Sequence, residues 1–159
     1  MHKDLIGKIA ETLLGKNATL STAESCTGGN IAHEITLLSG ASSYFKGSVV
    51  SYCNEVKHNV LKVPSQILDN QGAVSEETVK YMCKGVLELL NTDYSIAVSG
   101  LAGPNGDGTN TEVGTVWLCV MKKDGEFCTK KYCIKTYRED FINKATQIAL
   151  ELLWNFLSK

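Results

Sequence analysis

The chain has 159 residues, 43% hydrophobic and 21% charged, with a formal net charge of −1. That profile fits one globular domain with its own core, and the charge balance lacks the basic footprint of a nucleic-acid binder. No uncharged apolar run reaches membrane-spanning length, so neither nucleic acid nor membrane is an expected partner.

The opening MHKDLIGKIAETLLGK mixes charges through a helical pattern, unlike a secretory signal, so a cytoplasmic location is expected. Leu5, Ile9, Leu13 and Leu14 recur at helical spacing and predict a helix over 3–15. An apolar strand over 18–23 leads into TAESCTGG, residues 22–29, and an amphipathic helix over 28–38 carries Ile31, Ile35 and Leu38. KGSVVSYC, residues 46–53, reads as a second strand from its β-branched and aromatic content. Asn54 reads as the N-cap of a short helix, NEVKHNVLK, stopped by Pro64. Ser75-Glu76-Glu77 opens a longer helix with Val79, Met82, Val86 and Leu89 on one face, its acids placed to suit the helix dipole.

YSIAVS, residues 94–99, is a third strand, followed by the glycine-rich GLAGPNGDGTNTE. Residues 113–121 and 126–135 form a hairpin about KKDGE, its turn marked by Asp124-Gly125. A last helix carries Phe141, Ala145, Ile148, Leu152 and Phe156. The whole, residues 1–159, is predicted to be one α/β domain. Its form is a three-layer α/β/α sandwich around a mixed, mostly parallel sheet of about five strands. The six cysteines contain no CxxC pair and read as small buried hydrophobes. The three histidines form no HExxH-like set; a site without metal or cofactor is expected.

Ligand crevices in open α/β sheets lie at the carboxyl ends of parallel strands, where the unusual residues of this chain fall. After the first strand, Ser25 offers a nucleophilic hydroxyl. The N–H groups of Thr27, Gly28 and Gly29 offer a cradle for an oxyanion or a phosphate. The same residues also make an ordinary capped helix start. A serine needs a base, and Lys57, in the first turn of the helix after the second strand, is placed to have its pKa lowered by the helix dipole. Glu24 and Glu55 oppose that shift, and a solvated lysine is the plain alternative. His58 points about 100° away from Lys57 around the helix. Cys26 is a rival nucleophile or a buried thiol. The loop holding Ser99, Gly100 and Gly103 is a wall or lid near ligand, or a mobile surface loop. Tyr52 could hydrogen-bond or stack with a ring, or simply pack. Arg138 could grip a phosphate with two hydrogen bonds, or be an exposed charge.

Five ordered motifs resemble the CinA C-terminal domain family, whose stand-alone members include the PncC-type nicotinamide-nucleotide amidases. They are TAESCTGG at 22–29, GASSYFKGSVVSYCNEVK at 40–57, GAVSEET at 72–78, SGLAGPNG at 99–106 and VGTVW at 113–117. The resemblance implies an α/β/α domain that hydrolyses the carboxamide of nicotinamide mononucleotide to nicotinate mononucleotide and ammonia, commonly as a homo-oligomer. It puts the motif serine at Ser25, the motif lysine at Lys57, polar contacts at Ser42 and Tyr52, and the arginine at Arg138. One departure stands before VGTVW, where the family often has a Lys-Pro or similar step and this chain has Thr111-Glu112, an acid that would hinder a nearby phosphate. The alternative function is a non-catalytic nucleotide-binding or protein-interaction module of the competence/damage-inducible type.

Overall fold

A computed structural model describes residues 2–159. Strands β1 (Leu20–Glu24), β2 (Phe45–Val50), β3 (Tyr94–Gly100), β4 (Thr115–Lys122) and β5 (Phe127–Cys133) form one sheet in the order β2-β1-β3-β4-β5. β1 runs parallel to both its neighbours, whereas β4 is antiparallel to β3 and β5 to β4. The sheet is mixed, with its pairings divided evenly between the two kinds. The return strands follow from the hairpin, whose Gly125 has a φ of 98° that favours glycine.

Alternation along the strands separates two cores. Leu20, Ile96, Val98, Leu118 and Val120 face the helices α1 (Lys3–Gly15), α2 (Asn30–Thr36) and α6 (Arg138–Leu157). Ala23, Ala97, Cys119 and Met121 face α5 (Glu76–Leu90), on which α4 (Ser65–Gln71) packs. Helix α5 begins as expected, with the Ser75 hydroxyl accepting from the Thr78 N–H at 3.2 Å. Its Gly85 lies against the backbone of Leu61, where any Cβ would collide. The close approach brings α5 against the segment that follows α3 (Asn54–Asn59).

Several expectations need correction. Helix α2 starts at Asn30 because Gly28 and Gly29 take left-handed backbone, with φ of 60° and 100°, and form the turn before it. Cys53, not Asn54, caps α3, and it does so without a side-chain hydrogen bond. Helix α4 was not predicted. Leu14 and Leu89 are exposed, and Leu87 takes the buried place on α5. All six cysteines are free thiols; Cys26, Cys83 and Cys119 are buried, but Cys53 and Cys133 are exposed.

The topology fixes where a site can be. The chain leaves β1 for β2 on one side and later returns to β3 on the other, so the carboxyl end of β1 is a switch point of the sheet.

Candidate active site

Ser25 is the first residue beyond β1 at that switch point. Its N–H donates to the Val98 carbonyl at 3.1 Å, and the Ser51 N–H donates to the Glu24 carbonyl at 2.8 Å. The turn is thus held from both neighbouring strands. Lys57 enters from α3, and its Nζ donates to Ser25 Oγ at 2.8 Å and to the Ser51 carbonyl at 2.7 Å. Among the described residues no carboxylate forms an ion pair with it, and it is only 1% exposed. Burial lowers its pKa from 10.5 to about 8, against a smaller opposing pull from Cys26 and Cys53. The dominant cause is desolvation, and the opposing pull comes from the two cysteines, not from Glu24 or Glu55. Serine, lysine and an orienting carbonyl form the constellation that activates a hydroxyl nucleophile.

The two side chains open on a cavity of about 290 Å³ that is also lined by Cys26, Tyr52, Asn54, Ser99, Gly100, Asp107 and Arg138. Gly100 forms close-packed wall: a Cβ there would lie 2.9 Å from the Thr115 carbonyl oxygen and 3.1 Å from Cys26 Sγ. The Ser99 hydroxyl donates to the Ala73 carbonyl at 2.7 Å, tying the loop ahead of α5 to the cavity wall. Arg138 bridges the mouth, with Nη1 donating to the Gly103 carbonyl at 2.8 Å and Nη2 to the Tyr52 hydroxyl at 2.7 Å. Gly103 therefore acts through its carbonyl on Arg138 and is not part of the cavity lining.

Other candidates fall elsewhere. Ser42 precedes β2, so it sits at the opposite edge of the sheet from the cavity at that strand's carboxyl end. Of the cradle expected over residues 27–29, the Gly28 N–H is used within the turn. The Gly28 N–H donates to the Ser25 carbonyl at 3.0 Å, and none of Thr27, Gly28 and Gly29 lines the cavity. The first N–H groups of α2 are filled by Glu24, which accepts from Ile31 N and Ala32 N at 2.9 Å each. Cys26, next to Ser25, lines the cavity, and its N–H makes no hydrogen bond to another of the described residues. The Cys26 thiol is pushed by burial up to about 12, which favours the protonated thiol over the reactive thiolate. His58 turns its Nδ1 to the Val63 carbonyl at 2.8 Å. Glu112 pairs with Lys135 at 2.6 Å, outside the cavity lining, so the departure before VGTVW puts no acid in the site.

Residues 2–157 match the model of the CinA C-terminal domain. The chain belongs to this family. Among CinA relatives, it is 39% identical over 147 residues to the nicotinamide-nucleotide amidohydrolase PncC of Escherichia coli K12, spanning 92% of this chain and 89% of that one. It is 40% identical over 156 residues to a CinA-like protein of Leptospira borgpetersenii, covering 98% of this chain but 37% of that longer protein. The crystal structure of the competence damage-inducible protein A of Klebsiella pneumoniae superposes with a TM-score of 0.94 at 37% identity, over 98% of this chain and 96% of that one. The corresponding values for the competence/damage inducible protein CihA of Agrobacterium tumefaciens are 0.93 and 31%, over 98% and 94%.

Proposed function

We propose that this chain is a nicotinamide-nucleotide amidohydrolase that converts nicotinamide mononucleotide to nicotinate mononucleotide and ammonia, with Ser25 as nucleophile and Lys57 as base. The observation that carries the reading is the buried Lys57 Nζ, 2.8 Å from Ser25 Oγ with its pKa lowered to about 8. The substrate class comes from the name of the PncC relative, which aligns over 89% of its length.

In this mechanism Ser25 Oγ attacks the carboxamide carbon while its proton passes to neutral Lys57 Nζ, oriented by the Ser51 carbonyl. The tetrahedral oxygen faces the N–H of Cys26, the residue after the nucleophile, a placement that serves acyl transfer in other serine hydrolases. The C–N bond then breaks, and Lys57 returns the proton to departing ammonia. Lys57 next deprotonates water, which cleaves the ester on Ser25 and restores the dyad. Arg138 supplies positive charge for the phosphate, held at the mouth by Tyr52 and Gly103. Ser99 and Gly100 form the wall against the ring.

The same proposal takes residues 1–159 as one functional unit, a cytoplasmic homo-oligomer without nucleic-acid or membrane partners; light scattering of the purified chain reads the oligomer. The test of function is incubation with nicotinamide mononucleotide, following ammonia by a coupled assay and the acid product by chromatography. One ammonia and one nicotinate mononucleotide per substrate consumed is expected. No release above background refutes the proposal.

A further inference from the structure

The residue before the nucleophile is a carboxylate with no exposure to solvent. Glu24 Oε1 accepts from Thr27 Oγ1 at 2.6 Å and Ile31 N at 2.9 Å. Its Oε2 accepts from Ala32 N at 2.9 Å and from Thr22 Oγ1 and Ser48 Oγ at 3.3 Å each. Five donors on one group suit a carboxylate, which only accepts. They come from β1, the turn, α2 and β2. Through its main chain Glu24 also reaches the other half of the dyad, because its carbonyl accepts from Ser51 N and the Ser51 carbonyl accepts from Lys57 Nζ. A shift of the turn's main chain against α2 or β2 therefore strains hydrogen bonds to this one residue.

We infer that Glu24 is the positioning residue of the Ser25–Lys57 dyad, its carboxylate clamping the glycine turn onto α2 and β2 so that Ser25 Oγ stays on Lys57 Nζ. Glu24 does not border the cavity and so contributes nothing to ground-state binding. The inference predicts losses in kcat and not in KM. The inference rests on the proposed dyad but not on the identity of the substrate. Misplacement by about 1 Å can slow a reaction about 100-fold.

Glu24→Gln places an amide NH₂ where only donors approach. It should lower kcat for nicotinamide mononucleotide about 10- to 100-fold with KM within about threefold, and slow sulfonyl fluoride labelling of Ser25, read by intact mass, to a similar extent. Labelling needs no nucleotide, so a wild type that is labelled at Ser25 yet releases no ammonia refutes the substrate while leaving the clamp testable. Thr27 offers a second pair should Glu24→Gln fail to fold. Thr27→Val keeps the volume and loses the hydroxyl, and should lose several-fold in kcat and labelling. Thr27→Ser keeps the hydroxyl and should retain most of both. A packing role gives the reverse order and overturns the inference. So does a folded Glu24→Gln protein with wild-type kcat and labelling, or one changed only in KM. A wild type with neither turnover nor labelling has no working dyad, and overturns the inference together with the reading beneath it.

Discussion

Replacing Lys57 by Met should abolish activity and stabilise the protein, and both effects follow from the same buried ammonium. Wild-type Lys57 holds its proton less readily in the folded chain, at about 8 against 10.5. Between those values the unfolded chain binds more protons, so stability rises with pH across that window. Below about pH 8 both states are protonated and the folded state carries the full penalty. At about 1.4 kcal/mol per pH unit the gap amounts to about 3 kcal/mol. Methionine removes that burden but leaves the Ser51 carbonyl without the Lys57 donor, a loss of about 1–2 kcal/mol. Lys57→Met should therefore be more stable by about 1–2 kcal/mol at pH 7, with the advantage gone by about pH 10.5. Its kcat should fall about 10²–10⁴-fold, as for loss of a general base. In the wild type, kcat/KM should rise tenfold per pH unit below about 8, with about one tenth of the plateau at pH 7 and about one hundredth at pH 6. Urea unfolding at pH 7 and 10.5 and ammonia release from pH 6 to 9.5 are the assays. A rate that is flat from pH 6 to 9, or a Met variant less stable than wild type at pH 7, refutes the reasoning.

Arg138→Lys cannot span both Tyr52 and Gly103, and should weaken nicotinamide mononucleotide binding by about 1.5–3 kcal/mol while hardly changing the riboside. Calorimetric titration into Ser25→Ala protein reads both, and equal losses would mean that Arg138 only braces the loop. Cys26→Ala should keep most of kcat, since a thiol near 12 supplies no thiolate; a large loss in the ammonia assay would reopen Cys26 as a nucleophile. Gly100→Ala should lower stability by about 1–3 kcal/mol, because its Cβ would press on the Thr115 carbonyl and the Phe141 ring. An unchanged urea midpoint would contradict that packing.

The Ser25–Lys57 contact was legible because a serine after one strand and a lysine after the next are local signals, and the order of elements carries both to one sheet edge. Contacts made across the fold were not. Glu24 read as an acid opposing Lys57, when five donors from several elements enclose it and turn it into a brace. The glycine pair read as an open cradle in the helix, but both glycines take left-handed backbone ahead of α2 and the Gly28 N–H turns back to the Ser25 carbonyl. Ser42 was assigned by motif, and only the register of β2 against β1 puts it at the far edge. Helix α4, seven residues long, is too short for periodicity to announce. The Lys57 shift was anticipated in direction, but its cause is burial by the surrounding chain, which no single segment displays.

The most direct test of the account is ammonia release from nicotinamide mononucleotide by Ser25→Ala beside wild type, with folding checked by unfolding in urea. Ser25 is a small residue on a turn, and its hydroxyl is one of two oxygen partners of Lys57. The account predicts steady release by wild type and background release by a folded Ser25→Ala protein that still binds the nucleotide. Release by Ser25→Ala within tenfold of wild type would contradict it.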